Sequence, residues 1–360
     1  MKVAYCTGFW CTNIGNGFFS LGVEYVLKKV LGEKNVTIVS DIQTYTTSFG
    51  KRLYFDKNQL EYLSSLDVDY VVLAGPVISR YFLQLWKDIL NKLKQRGVGY
   101  IILSAGAMKL NDASREDIKA FFESNPPYIL SSRDEDVYHE FGPYAEHSYN
   151  GICFSFFAPD FYTPTSMDEF GSYVVYNFDK LLEPEIWVED NEKGRCTNQF
   201  LYLGDSYKIK FPKILGEVTK RTDRFTDALI YALSIIPAKK HANKIGNYRI
   251  VRTDHRFHPH FRSKIYQREN SFVSDLPFGY LNLYANAEFV LSDRVHACAV
   301  ALAYGRRAML FAQTKRAGLL KRVGAYDISE RLVELDMYKL DQEKENQINW
   351  LRQFFDCSNY

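Results

Sequence analysis

Arg294 and His296 stand in the run Ser292-Asp293-Arg294-Val295-His296-Ala297-Cys298-Ala299, between the apolar stretch Ala287 to Leu291 and the apolar helical pattern Val300 to Tyr304. A strand that ends in a tight turn and passes at once into a helix points unpaired backbone N–H groups at whatever lies above the sheet. Such a turn is an anion site. Arg294 adds a permanently charged fork that fits carboxylate or phosphate, and His296 adds a titratable group beside it. With no carboxylate cage next to the pair, it reads as a pocket for a small acid carrying several charges. The plainer reading is that Arg294 pairs with a nearby carboxylate and His296 caps the helix, since helix starts carry such groups for stability as well.

A second cluster, Asp254-His255-Arg256-Phe257-His258-Pro259-His260, follows the strand-like run Tyr248 to Thr253. The spacing H-x-x-H-x-H invites a metal. Zinc sites, however, draw on residues that return on one helical face or from fixed turns, and Pro259 makes the chain irregular here. No metal is therefore expected, which leaves contact with a ligand through His255 or Arg256, or an ordinary polar loop. Near the start, Asn13-Ile14-Gly15-Asn16 offers amides that can read hydroxyl groups and a glycine that allows close backbone approach. Arg133-Asp134 reads as an ion-paired strand end that fixes the following helix.

These residues need elements to hold them. A chain of 360 residues suits two lobes, each with its own core. In the first 150 residues short β-rich runs (Val3 to Cys6, Val36 to Val39, Tyr70 to Ala74, Tyr100 to Leu103, Tyr128 to Leu130) alternate with helical patterns (Phe18 to Val30, Tyr81 to Lys94, Ser114 to Glu123, Glu135 to Phe141). That order predicts an α/β fold with a parallel sheet, whose ligands lie beyond the carboxyl ends of the strands. Gly151 to Phe170, rich in Phe, Pro and Asp, reads as a crossing between lobes. The second lobe is expected to begin with the strand Tyr173 to Phe178. It continues through a helix over Phe225 to Ile236, the strand Tyr248 to Thr253, a helix over Phe278 to Ala285, the strand Phe289 to Leu291, a helix over His296 to Tyr304 and the strand Ala308 to Phe311. Glu183 to Lys220 fits neither period and reads as an insertion over the cleft, while Leu340 to Phe354 closes the chain as a solvated packing helix.

A net charge of +2 gives no case for a nucleic-acid partner. The six cysteines form no C-x-x-C pair, no secretory segment opens the chain and no eighteen apolar residues run together, so a reduced, cytoplasmic setting is expected. Peripheral attachment to a membrane stays open.

Taken in order, several of these features resemble the polysaccharide pyruvyl transferase family. Asn13-Ile14-Gly15-Asn16 is similar to that family's N-x-G-D turn, Asp69 to Gly75 to its strand ending in glycines, and Ile129 to Asp134 to its strand followed by R-D. Ala287 to Ala297 resembles its S-x-R-hydrophobic-H-A element. Departures are Asn16 in place of Asp, Pro76 within the glycine run and Asp293 where Ser or Thr is frequent. The arginine early in the family's second lobe has no clear match near Tyr176 to Lys180.

The resemblance implies two Rossmann-like lobes facing across a cleft, as in GT-B glycosyltransferases. They would comprise residues 1–155 on the acceptor side and 170–340 on the donor side, with 341–360 as a C-terminal helix. It also implies phosphoenolpyruvate as donor substrate, no cofactor, and as acceptor a sugar diol in a cell-surface glycan or its precursor, free or lipid-linked. By the same resemblance Arg294 and His296 would hold the donor and be catalytic, with the Val295 and His296 backbone N–H groups helping. From their own positions, Arg256 and His255 are expected to meet the donor as well, and Asn13, Gly15, Asn16 and Gly75 the acceptor. Two other functions fit the same residues: a GT-B glycosyltransferase using a nucleotide sugar, and a glycan-binding relative without catalysis.

Overall fold

The computed structural model describes residues 1–7, 10, 13–40, 61–108, 110–179, 181, 183–189, 198–211, 242–255, 269–312 and 314–355. The first lobe contains β1 (Val3–Thr7), α1 (Gly15–Leu31), β2 (Val36–Ser40), β3 (Tyr70–Ala74), β4 (Ile78–Ser79), α2 (Phe82–Gln95), β5 (Gly99–Ala105), β6 (Ala107–Met108), α3 (Asp112–Ser124), β7 (Ile129–Ser132), α4 (Glu135–Phe141) and β8 (His147–Asn150). Its main sheet runs β2-β1-β3-β5-β7-β8 with every pairing parallel. Alternation explains the layers, because successive side chains point to opposite faces. Val3, Tyr5, Val72 and Ile101 pack toward Phe18 and Val23 of α1, whereas Ala4, Cys6, Val71 and Ile102 pack toward Trp86 of α2 and Phe122 of α3.

The second lobe is reached through the short helix α5 (Ala158–Phe161). It holds β9 (Tyr173–Asn177), β10 (Glu185–Val188), β11 (Asn198–Tyr202), β12 (Asp205–Lys210), β13 (Lys244–Ile245), β14 (Tyr248–Thr253), β15 (Ser271–Phe272), α6 (Pro277–Ala285), β16 (Phe289–Ser292), α7 (Val295–Ala303), β17 (Arg307–Leu310), α8 (Gly318–Lys321) and α9 (Met337–Phe355). Its main sheet runs β13-β14-β9-β16-β17, with β15 beside β14, and only β13 antiparallel among these pairings. The helix expected over Phe225 to Ile236 lies outside the described residues.

One expectation needs correction. The described part of the 183–220 segment forms an antiparallel sheet, β10-β12-β11, that packs on one face of the second sheet rather than over the cleft. Phe200, Tyr202, Tyr207 and Ile209 alternate inward there and meet Val174, Tyr176, Phe289 and Leu291. The crossing itself is apolar and buried: Phe154, Phe156 and Phe157 are fully buried and belong to one apolar cluster that includes Tyr5 and Ile101 of the first lobe and Val175 and Val290 of the second. The last helix, α9, is likewise only part solvated. Leu340, Ile348, Leu351 and Phe355 are buried, and Gln347 Oε1 accepts the Ile152 N–H at 2.7 Å, which ties the chain end back to the first lobe.

Candidate functional site

The turn between β16 and α7 is shaped by Ser292, whose Oγ accepts the Arg294 N–H at 2.8 Å. Arg294 occupies the N-cap position with extended backbone (φ −115°), and no side chain caps the first turn of α7. The N–H groups of that turn are therefore free of side-chain caps, and the positive end of the helix dipole faces the site. His296 does not act as a cap. The other half of the plainer reading is met: Arg294 Nε donates to Asp179 Oδ1, and the pair is buried. The expectation of no adjacent carboxylate is thus corrected. Asp179 lies far away in sequence but follows β9, the sheet neighbour of β16, so only the strand order reveals it. Arg294 Nη2 is buried and has no hydrogen-bond partner among the described residues, which leaves one end of the fork uncommitted. Asp293 is fully buried and accepts the Leu181 N–H at 2.6 Å, while the Val295 side chain joins the core.

Three of the predicted segments come together. The Ile14 N–H donates to the His255 carbonyl at 2.8 Å. A Cβ added at Gly15 would lie 3.0 Å from His255 Nδ1 and 3.3 Å from His296 Nδ1, so both imidazoles flank the start of α1. A side chain there would press on both rings and move them by a few tenths of an ångström. Asn13 Nδ2 donates to Asn16 Oδ1 at 3.3 Å. Gly75 has φ +80°, and its missing Cβ makes room for the Phe19 ring, which in turn sits 5.5 Å from the His296 ring.

The histidines differ in how firmly they are held. His255 is 2% exposed; its N–H donates to Asp179 Oδ2 at 3.1 Å and its Nε2 lies 2.6 Å from the Tyr284 hydroxyl. Burial, reinforced by Arg294 and only partly offset by Asp179, pushes its pKa down to about 3. His296 is part buried, with Nε2 4.0 Å from the Cys153 thiol. Burial first, then the cations Arg133 and Arg316, hold its pKa well below the usual value.

Arg133 and Arg316 are the residues that sequence reasoning undervalued or missed. Arg133-Asp134 was expected as an ion-paired strand end that fixes the following helix, and Asp134 does fix it: its Oδ1 accepts the Val137 N–H at 3.1 Å and caps α4. Arg133 turns away, 3% exposed, with its guanidinium 5.5 Å from the Phe19 ring centre and its Nη1 without a partner among the described residues. Arg316 follows Thr314, whose side chain caps its turn, and reaches Met108 Sδ at 2.7 Å across the cleft. Both follow strand ends, β7 and β17, where ligands of parallel sheets bind; that placement was the available signal. Arg256, His258 and His260 lie outside the described residues. Among the described residues no group of three His, Cys, Asp or Glu side chains could hold a metal, and no helix is long and apolar enough to cross a membrane.

The architecture is shared with solved structures. The S. aureus MnaA–UDP co-structure is similar over 100% of this chain and 92% of that one, with a TM-score of 0.51 and 11% identity. A putative UDP-N-acetylglucosamine 2-epimerase from Listeria monocytogenes gives a TM-score of 0.50 at 10% identity, over 97% and 88% of the two chains. At such identity the likeness shows the fold alone, two Rossmann-like lobes in the GT-B arrangement. None of the curated proteins matches the chain in sequence. A family model does, over residues 13–314, a span that holds the Asn13 to Asn16 turn, Arg133, His255, Arg294 and His296. The chain belongs to the polysaccharide pyruvyl transferase family.

Proposed function

We propose that the protein moves the enolpyruvyl group of phosphoenolpyruvate onto a sugar diol of a cell-surface glycan or its precursor, as a cyclic ketal, with release of phosphate. The observation that carries this reading is the set of guanidinium groups around one imidazole. The charges of Arg133, Arg316 and Arg294 all act on His296, which lies at an uncapped helix start, and Arg294 Nη2 and Arg133 Nη1 have no hydrogen-bond partner among the described residues. A carboxylate and a phosphate on one small molecule match such a set.

Each step has a residue suited to it. Protonation of the methylene carbon by His296 builds positive charge on the carbon bearing carboxylate and phosphate, and a sugar hydroxyl attacks that carbon and returns its proton to the now neutral His296. Phosphate then departs with the bonding pair, stabilised by the guanidiniums, and the second hydroxyl closes the ketal, its proton leaving with the phosphate. A positioned acid contributes about 10²–10⁴-fold in rate. The acceptor would lie against Asn13, Gly15, Asn16 and Gly75, at the carboxyl ends of β1 and β3. In this reading the donor pocket draws on both lobes, since Arg133 follows β7 of the first sheet. The reaction needs no cofactor, and its donor places it in the cytoplasm, with a lipid-linked acceptor drawing the enzyme to the inner face of the membrane.

The test is thermal denaturation in chelator with phosphoenolpyruvate or a nucleotide sugar. Phosphoenolpyruvate at about 100 times its dissociation constant adds roughly 2.7 kcal/mol to stability. Stabilisation by nucleotide sugars alone would instead assign the site to a glycosyltransferase, and stabilisation by glycan alone to a non-catalytic relative.

A further inference from the structure

His255 is the second imidazole of the site, and its surroundings restrict what it can do. The Asn177 side-chain amide donates to the Tyr284 hydroxyl at 2.9 Å, and the same hydroxyl lies 2.6 Å from His255 Nε2. All three side chains are buried, Asn177 and Tyr284 completely. A phenol carries one proton. With the Asn177 N–H occupying an acceptor position on the oxygen, that proton is left for His255 Nε2, which must then be the unprotonated nitrogen. The other ring nitrogen, Nδ1, is the one that abuts Gly15 beside His296.

We propose that Tyr284, oriented by Asn177, fixes His255 as the neutral Nδ1–H tautomer, so that His255 presents a hydrogen-bond donor to the space above Gly15 and does not serve as an acid. The consequence for the proposed reaction, on whose reading this part rests, is a division of labour between two neighbouring imidazoles. His255 Nε2 is sealed by the phenol, and loss of the Nδ1 proton would leave an imidazolate, so proton delivery falls to His296. Tyr284 and Asn177 are positioning residues. Ile14, through its N–H on the His255 carbonyl, and Asp179, through its carboxylate on the His255 N–H, fix the backbone from which the ring projects. Phe18, 5.5 Å away and edge-on, closes one side of the ring.

The tautomer can be read without any substrate. In full-length protein labelled with ¹⁵N at histidine, two-bond ¹H–¹⁵N correlations distinguish a protonated from an unprotonated ring nitrogen, and the His255 signals are identified by their loss in His255→Gln. The expected spectrum shows Nδ1 protonated and Nε2 bare, unchanged between pH 8 and pH 5. In Tyr284→Phe the constraint is gone, and the expected result is a shift toward the Nε2–H form with a fall in turnover of about tenfold and a smaller change in phosphoenolpyruvate affinity. An Nε2-protonated His255 in the parent protein would overturn the proposal and mean that the phenol's proton goes to Asn177 instead. Should Tyr284→Phe fail to fold, the parent spectrum alone decides. A parent that shows the expected tautomer but binds no phosphoenolpyruvate would refute the donor assignment and leave the tautomer standing.

Discussion

A neutral His296 in the resting site places a condition on the donor. Its pKa is held down by burial and by Arg133 and Arg316, so an anion that neutralises those guanidiniums raises it. Donor and proton therefore bind together, and phosphoenolpyruvate affinity should rise as the pH falls through the neutral range. Calorimetric titration in two buffers of different ionisation enthalpy should show proton uptake; proton release would contradict it. For His255, folded pKa about 3 against about 6.5 when unfolded, only the unfolded chain gains a proton as the pH drops below about 6.5. Its stabilising contribution is complete above that pH and shrinks toward pH 3 by ~1.4 kcal/mol per unit. His255→Gln should flatten the pH dependence of denaturant midpoints by that amount. Arg294 and His296 were legible in the sequence because they sit in one short run after a strand. Asp179 and Tyr284 were not, since their partners are brought to them only by strand order and by the packing of α6 within the second lobe.

At the scale of elements, α1 makes two close approaches at its glycines. Gly15 lies against the imidazoles, and Gly22 keeps the chain close: a Cβ there would run into the Phe154 carbonyl oxygen. Gly→Ala in a helix interior ordinarily gains about 0.5–1 kcal/mol. Gly22→Ala should reverse that sign and cost roughly 1–3 kcal/mol through overpacking, read as a lowered denaturant midpoint. An increase would mean that the Phe154 turn moves aside freely. The parallel strands could be read from runs such as Tyr70 to Ala74, whose apolar side chains are buried on both faces. The β10-β12-β11 layer was unreadable for the opposite reason: its alternating Phe200, Tyr202, Tyr207 and Ile209 are interrupted by charged, outward residues and turns, and their partners lie on a distant sheet.

The whole molecule is held by an apolar cluster that passes through both lobes, and by α9, which returns from the second lobe to the first. Lys344 on this helix pairs with Asp160 at 2.8 Å, and Trp350 stacks on Tyr149 with ring centres 4.9 Å apart. Two lobes joined in this way should unfold together. A single transition, superimposable by near-ultraviolet dichroism and fluorescence, is expected in urea, whereas two separated transitions would show that the shared cluster does not couple the lobes. The sequence marked Gly151 to Phe170 as a crossing between lobes from its Phe, Pro and Asp; the burial of Phe154, Phe156 and Phe157 depends on α1 and α7 meeting there, which no local pattern encodes.

The account rests on His296 as the acid within an arginine-lined donor pocket, and phosphoenolpyruvate binding measured beside phosphate release in His296→Gln tests it most directly. Glutamine keeps a hydrogen bond but cannot titrate, so donor affinity should stay near that of the parent while turnover falls by about 10²-fold or more. Arg294→Lys, in which a point charge replaces a planar fork, should weaken donor binding as well as turnover. Folded His296→Gln protein that releases phosphate at close to the parental rate would contradict the account.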